Sequence, residues 1–352
     1  MSTRRTRPRR PLPERLTALV NRTGSLNGRP FPPGTPMRPP AGRLRNWAHY
    51  GLMVPDLPEP HRFFGVMSIL GTPGVTVFAN DRLITTTPED TAYTVSATAS
   101  MESGQFLVQS IARDCDFRAD GSRLRFGEEL LVEGAPPRLT VRRTHPDVTV
   151  ELDVEVTGTA SHFAALPGTY RHWSLLARYR GRIEHGGRHQ DIAGLCTFEY
   201  AAGAGTRSLP LTRRLKVPVR LFTYHVLNLD ERTQALLVEV LGPGGFPLQR
   251  AVYLRSLDDH GSVHTRGFAL DITSYEATGR ATPDGRSMRL PRTLAWRVQD
   301  EAGRELLSVE GTTGGDFAYG LGAGFVGSYT YTGRFRGAEI GGRAYLEYVD
   351  CR

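Results

Sequence analysis

A strict two-residue alternation runs from Val148 to Val156 (Val-Thr-Val-Glu-Leu-Asp-Val-Glu-Val), apolar at every even position and polar at every odd one. Only an extended chain puts residues i, i+2 and i+4 on one face, so the segment predicts a strand with one face in a core and the other in water. Similar runs at 104–113, 123–132, 138–143, 235–241, 249–257, 287–298 and 328–336 are separated by turn formers such as Asp120-Gly121, Gly186-Gly187, Gly244-Gly245 and Gly314-Gly315. After Trp47 no long stretch carries a helical apolar stripe. Many short strands with turns at regular spacing predict an all-β body built as barrels or sandwiches.

An internal repeat sharpens that prediction. Tyr179-Arg-Gly-Arg-Ile183 followed by Gly194 and Glu199-Tyr200 recurs as Tyr331-Thr-Gly-Arg-Phe335 followed by Gly342 and Glu347-Tyr348. The strand phase recurs too: Ile192, Gly194, Cys196, Phe198 and Tyr200 match Ile340, Gly342, Ala344, Leu346 and Tyr348. At 352 residues the chain is long for one core and suits two domains. The fold expected is therefore two tandem antiparallel lipocalin-like (calycin) β-barrels, 46–203 and 204–352, behind an N-terminal arm, 1–45.

The arm is where the charge lies. Of a net charge of +8, eleven arginines against the single acid Glu14 fall in residues 1–45, so the body is close to neutral. Nine prolines and few apolar residues predict a disordered, solvated arm with room for one short helix around 13–20. Such an arm can make weak contact with an anionic surface, while a neutral body argues against a specific nucleic-acid partner. No window is apolar enough for a transmembrane segment, the basic N-terminus lacks a signal peptide's apolar stretch, and Cys115, Cys196 and Cys351 suggest neither a disulfide framework nor a zinc site. A cytoplasmic location is expected.

Familiar catalytic signatures do not fit. The Gly322-x-Gly324-x-x-Gly327 match is followed by the alternating strand Ser328–Gly333 rather than a helix, so it reads as a glycine-rich bend and not a dinucleotide site. His185 and His189 flank Gly186-Gly187, a hairpin turn rather than a ligand pair. No cofactor and no metal are expected from these patterns. The densest polar-aromatic cluster is Tyr170-Arg-His172-Trp173 running into Leu175–Ile183, where Trp173 and Tyr179 share the apolar face and His172 the arginine face. His172 suits general acid or base work, although a histidine among arginines is more often a solvated one. Tyr224 shares a face with Phe222 early in the second half. Glu199 and Glu347 lie opposite the apolar faces of their strands. Each either bonds an arginine or sits in a groove between the barrels, and the arginine-rich composition favours the ion pair.

In its closing strands the chain resembles the double-calycin proteins grouped with carotenoid hydratase (hydroxyneurosporene synthase) and AttH-like proteins, a group that includes lipocalin-like pericyclases. There the first barrel typically closes on Gly-x-Gly-Trp-x-Asp-His and the second on Gly-x-x-Tyr-x-Glu-Leu; here Gly194, Phe198 and Glu199-Tyr200 stand for the first, and Gly342, Tyr345 and Glu347-Tyr348 for the second. The acid is kept and the imidazole is replaced by tyrosine. The resemblance implies a cofactor-free enzyme of hydratase, isomerase or cyclase type acting on a hydrophobic terpenoid, polyketide or lipid-like molecule. The alternative is a non-catalytic carrier of such a ligand. The site expected has Glu199 and His172 as catalytic groups and Trp173, Tyr179, Tyr200 and Tyr224 as binding walls.

Overall fold

The computed structural model describes residues 23, 25–166, 168–206 and 215–352. The first sheet has eleven antiparallel strands: β1 (Trp47–Val54), β2 (Phe64–Leu70), β3 (Thr91–Ala97), β4 (Phe106–Ser110), β5 (Cys115–Phe117), β6 (Arg123–Phe126), β7 (Leu130–Ala135), β8 (Arg138–Arg143), β9 (Val148–Leu166), β10 (Tyr170–His185) and β11 (Arg188–Gly203). Each strand neighbours the next in the chain, and β1 closes on β11, except that the four-residue helix α1 (Ile111–Asp114) breaks the ladder between β4 and β5. This is an up-and-down meander curled into a nearly closed barrel.

The second half repeats the plan with β12 (Leu221–Asn228), β13 (Thr233–Leu241), β14 (Pro247–Ser256), β15 (Ser262–His264), β16 (Phe268–Tyr275), the small β17 (Arg280–Ala281) and β18 (Ser287–Met288), β19 (Pro291–Gln299), β20 (Glu305–Thr313), β21 (Ala318–Leu321), β22 (Gly324–Phe335) and β23 (Ala338–Asp350). Again the ladder breaks after the fourth strand, and β12 closes on β23. This sheet forms a half-barrel rather than a full one.

The sequence repeat has a physical cause. In the hairpin β10–β11 Tyr179 stands opposite Gly194, and in β22–β23 Tyr331 stands opposite Gly342. A ring laid over a cross-strand glycine covers backbone that would otherwise be bare, so Tyr and Gly are kept as a pair. Gly186 and Gly187 both have positive φ in the tight turn joining β10 to β11, as a two-residue hairpin requires. The expected strand over 123–132 is instead a hairpin, β6 and β7, bent at Gly127 with φ 58. Gly322 lies in the bend between β21 and β22.

The apolar core falls into two clusters. One fills the first barrel. The other takes in the second half together with Met53, Phe63, Met67, Val95 and Phe163 of the first. Strands β2 and β3 are therefore buried on both faces, and the halves pack sheet against sheet. Tyr345 lies so close to the backbone of Gly65 that a Cβ there would fall 2.7 Å from its ring.

Residues 25–45, expected as solvated arm, lie on the first barrel. Phe31 and Met37 are buried, the Phe31 ring centroid is 4.9 Å from that of Trp173, and the carbonyls of Met37 and Arg38 accept the Tyr50 and Tyr200 hydroxyls at 2.7 and 2.8 Å. Two phenols pointing into an apolar core need acceptors, and the arm supplies them; local composition cannot show such a demand. Residues 1–22, with the expected anionic contact, and the segment 207–214 just after the expected boundary lie outside the described residues. Phe31→Ala should cost about 2 kcal/mol in urea unfolding from lost burial. An unchanged midpoint would show that the arm merely rests on the barrel. Among the described residues no helix is long and apolar enough to cross a membrane.

Candidate active site

Alternation decides where a pocket can form. Trp47 and His49 on β1, Tyr170 and His172 on β10, and Glu199 and Ala201 on β11 each lie two residues apart on the outer face of the first barrel. Phe222 and Tyr224 on β12 and Val238 and Val240 on β13 do the same for the second half. Where these faces meet they enclose a cavity of about 430 Å³, mostly apolar in its lining and within the range of drug-sized ligand sites. Val217, half-open to solvent, is among the residues that line it.

Strand register brings the polar groups together. Both His49 and His172 stand opposite Ala201, one on each side of β11, and Glu199 lies two residues along the same face. Glu199 Oε2 is 3.8 Å from His49 Nε2 and 3.5 Å from His172 Nε2, and the Tyr224 hydroxyl donates to its Oε1 at 2.5 Å across the gap between the halves. His49 Nδ1 donates to the Ser68 carbonyl at 2.9 Å, and His172 Nδ1 meets the Tyr170 hydroxyl at 3.1 Å. Phe163 stands edge-on to His172 at 4.7 Å. Strand alternation sends His172 and the next residue, Trp173, to opposite faces, and opposite them β9 bulges by one residue at Phe163.

The two glutamates carry opposite electrostatics. Burial alone would raise the Glu199 carboxyl, but the facing imidazoles outweigh it and hold the group well below the usual carboxylate range. Glu347 also lines the cavity and is fully buried. There burial, reinforced by the charge of Glu199, pushes the carboxyl well above its ordinary value, and among the described residues the Tyr345 hydroxyl alone bonds it, at 3.1 Å. Burial pulls His172 below the usual imidazole range, Glu199 acting the other way. Behind the site the buried Arg255 guanidinium donates to Ser174 Oγ at 2.9 Å, Thr197 Oγ1 at 2.6 Å and Gln234 Oε1. Ser174 is the cross-strand partner of Glu199.

Of the residues expected at a site, Glu199, His172 and Tyr224 meet at the cavity. Trp173, Tyr179 and Tyr200 do not; they fill the first barrel, Trp173 packed between Phe31 and Tyr200. Neither Glu199 nor Glu347 pairs with an arginine among the described residues. His49 and Phe163 carried no local signal, because each becomes a site residue only through the pairing of β1 with β11 or the docking of the halves, whereas Tyr170 stood in the polar-aromatic cluster without being singled out.

The family model described as "Family of unknown function (DUF6670)" matches residues 67–352. No curated protein matches by sequence. Among solved structures, a candidate AttH (NE1406) from Nitrosomonas europaea superposes with a TM-score of 0.59 at 13% identity, covering 88% of this chain and 93% of the other. Kievitone hydratase from Nectria haematococca gives 0.56 at 12%, covering 86% and 88%. At such identities the likeness is one of fold, and the double-calycin architecture is shared.

Proposed function

This chain belongs to the DUF6670 family, which fixes no activity, and from the site itself we propose that it is a lyase- or isomerase-type enzyme moving protons on a hydrophobic small molecule. The observation that carries this reading is that two buried carboxyls, Glu347 and Glu199, line one apolar cavity in different surroundings, the first pushed up by burial and the second held down by its two imidazoles. Environments that push two carboxyls apart assign acid and base. Glu347 delivers a proton to an alkene or leaving group, and the His172–Glu199 pair takes one from water or from carbon. The aromatic and aliphatic walls, Trp47, Phe163 and Phe222 among them, suit a terpenoid, polyketide or other lipid-like substrate. The fold likeness to a protein named as a hydratase agrees with this class of chemistry.

The test is incubation with panels of prenylated phenols, terpenoid alkenes and polyketide enones in deuterium oxide. Deuterium at carbon, or addition of water, is the expected result. A ligand that binds but gains no deuterium and undergoes no conversion would make the protein a carrier. Val240→Trp, which fills the cavity from the half-barrel side away from the histidines, should abolish binding of any such ligand without lowering the melting temperature. Unchanged binding would place the ligand elsewhere.

A further inference from the structure

His49, His172 and Glu199 each offer one ligand atom, and the three atoms lie within 4.8 Å of one another. The two separations to the carboxylate, 3.8 and 3.5 Å, exceed the roughly 2.7–3.2 Å of an N–H···O hydrogen bond. They approach the side of a coordination tetrahedron: ligands about 2.0–2.1 Å from a zinc ion stand roughly 3.3 Å apart.

The outer contacts leave one ring nitrogen of each histidine and one carboxylate oxygen turned toward a common centre. A carbonyl can only accept, so His49 Nδ1 carries a hydrogen against Ser68, and Nε2 is the ring nitrogen left to bind an ion. His172 Nδ1 is held by the Tyr170 hydroxyl, which can donate or accept, and its Nε2 is buried without a hydrogen-bond partner among the described residues. Tyr224 occupies Glu199 Oε1 and leaves Oε2 for the centre. Imidazoles whose second nitrogen is anchored, beside a carboxylate that is itself hydrogen-bonded, are the usual surroundings of a bound metal ion.

We propose that His49, His172 and Glu199 form a zinc-type divalent-cation site with its remaining coordination position open to the cavity. Two histidines and a glutamate with one open position are a ligand set used by catalytic zinc. Only the ion's use in turnover rests on the reading of the cavity as an active site. There it would hold a water or a substrate carbonyl in the cavity that Glu347 also lines, and take over the proton-accepting part of the histidine pair.

The full-length protein, stripped with a chelator and dialysed, is titrated with Zn²⁺ by calorimetry and with Co²⁺ by visible absorption. The expected result is one ion per chain and Co²⁺ bands of four-coordinate intensity. His49→Ala and His172→Ala should each weaken binding by about 100-fold or more, and Tyr170→Phe, which removes no ligand, by about 10-fold. Circular dichroism identifies any variant that fails to fold, and the wild-type Co²⁺ spectrum needs no variant. Absence of stoichiometric binding, or undiminished binding in a folded His172→Ala, overturns the site. That outcome leaves the acid–base reading intact, whereas a bound ion without deuterium exchange supports the site and overturns the activity.

Discussion

Glu347→Gln is expected to lower turnover by about 10²- to 10⁴-fold, the usual contribution of a positioned general acid, while changing ligand affinity by no more than a few-fold. Gln keeps the shape and the contact with the Tyr345 hydroxyl and removes only the acidic proton. Burial and the Glu199 carboxylate disfavour a charge on Glu347, and the Tyr345 hydroxyl, which donates to it, offsets them only in part. The sign with pH follows from the raised value in the folded protein. A native carboxyl that keeps its proton binds more protons than the unfolded chain, so its stabilising effect is complete below the ordinary carboxylate range and is lost as pH rises toward the folded value. Activity should fall over that same rise, because the acid loses its proton. In Glu347→Gln the decline of stability with pH should flatten. Full turnover in the variant, or a wild-type rate that climbs through that range, would remove Glu347 from the mechanism.

Arg255→Ala is expected to destabilise the fold by about 3–5 kcal/mol in denaturant unfolding. The guanidinium is fully buried and holds Ser174, Thr197 and Gln234, tying β10 and β11 of the first barrel to β13 and β14 of the second. Its removal leaves three buried acceptors to find new donors and a void behind the site. Burial lowers its affinity for a proton only to about 10, so it stays a cation and supplies positive charge behind Glu199. Arg255→Lys should recover only part of the loss, because one ammonium cannot reproduce the planar fork toward three partners. A cost below about 1 kcal/mol for the alanine variant would show that the halves are held by apolar packing alone.

The all-β class, the duplication and the paired closing hairpins were readable from residue order, because period-two alternation and the Tyr-over-Gly pairing are local facts of a strand and its neighbour. The sequence could also mark Glu199, Glu347, His172 and Tyr224 as polar or amphipathic groups at notable places in that pattern. It misplaced Trp173, Tyr179 and Tyr200, whose apolar phase identifies a core-facing side without saying whether that core holds a ligand. It also took 25–45 for solvated chain, since the need of the Tyr50 and Tyr200 hydroxyls for acceptors exists only once the barrel has closed. Strand phase belongs to the chain itself. What gathers His49, His172, Glu199, Tyr224 and Glu347 around one cavity is the register of β1 against β11 and the docking of two sheets, set by long-range packing between residues far apart in sequence, and only the tertiary structure could decide it.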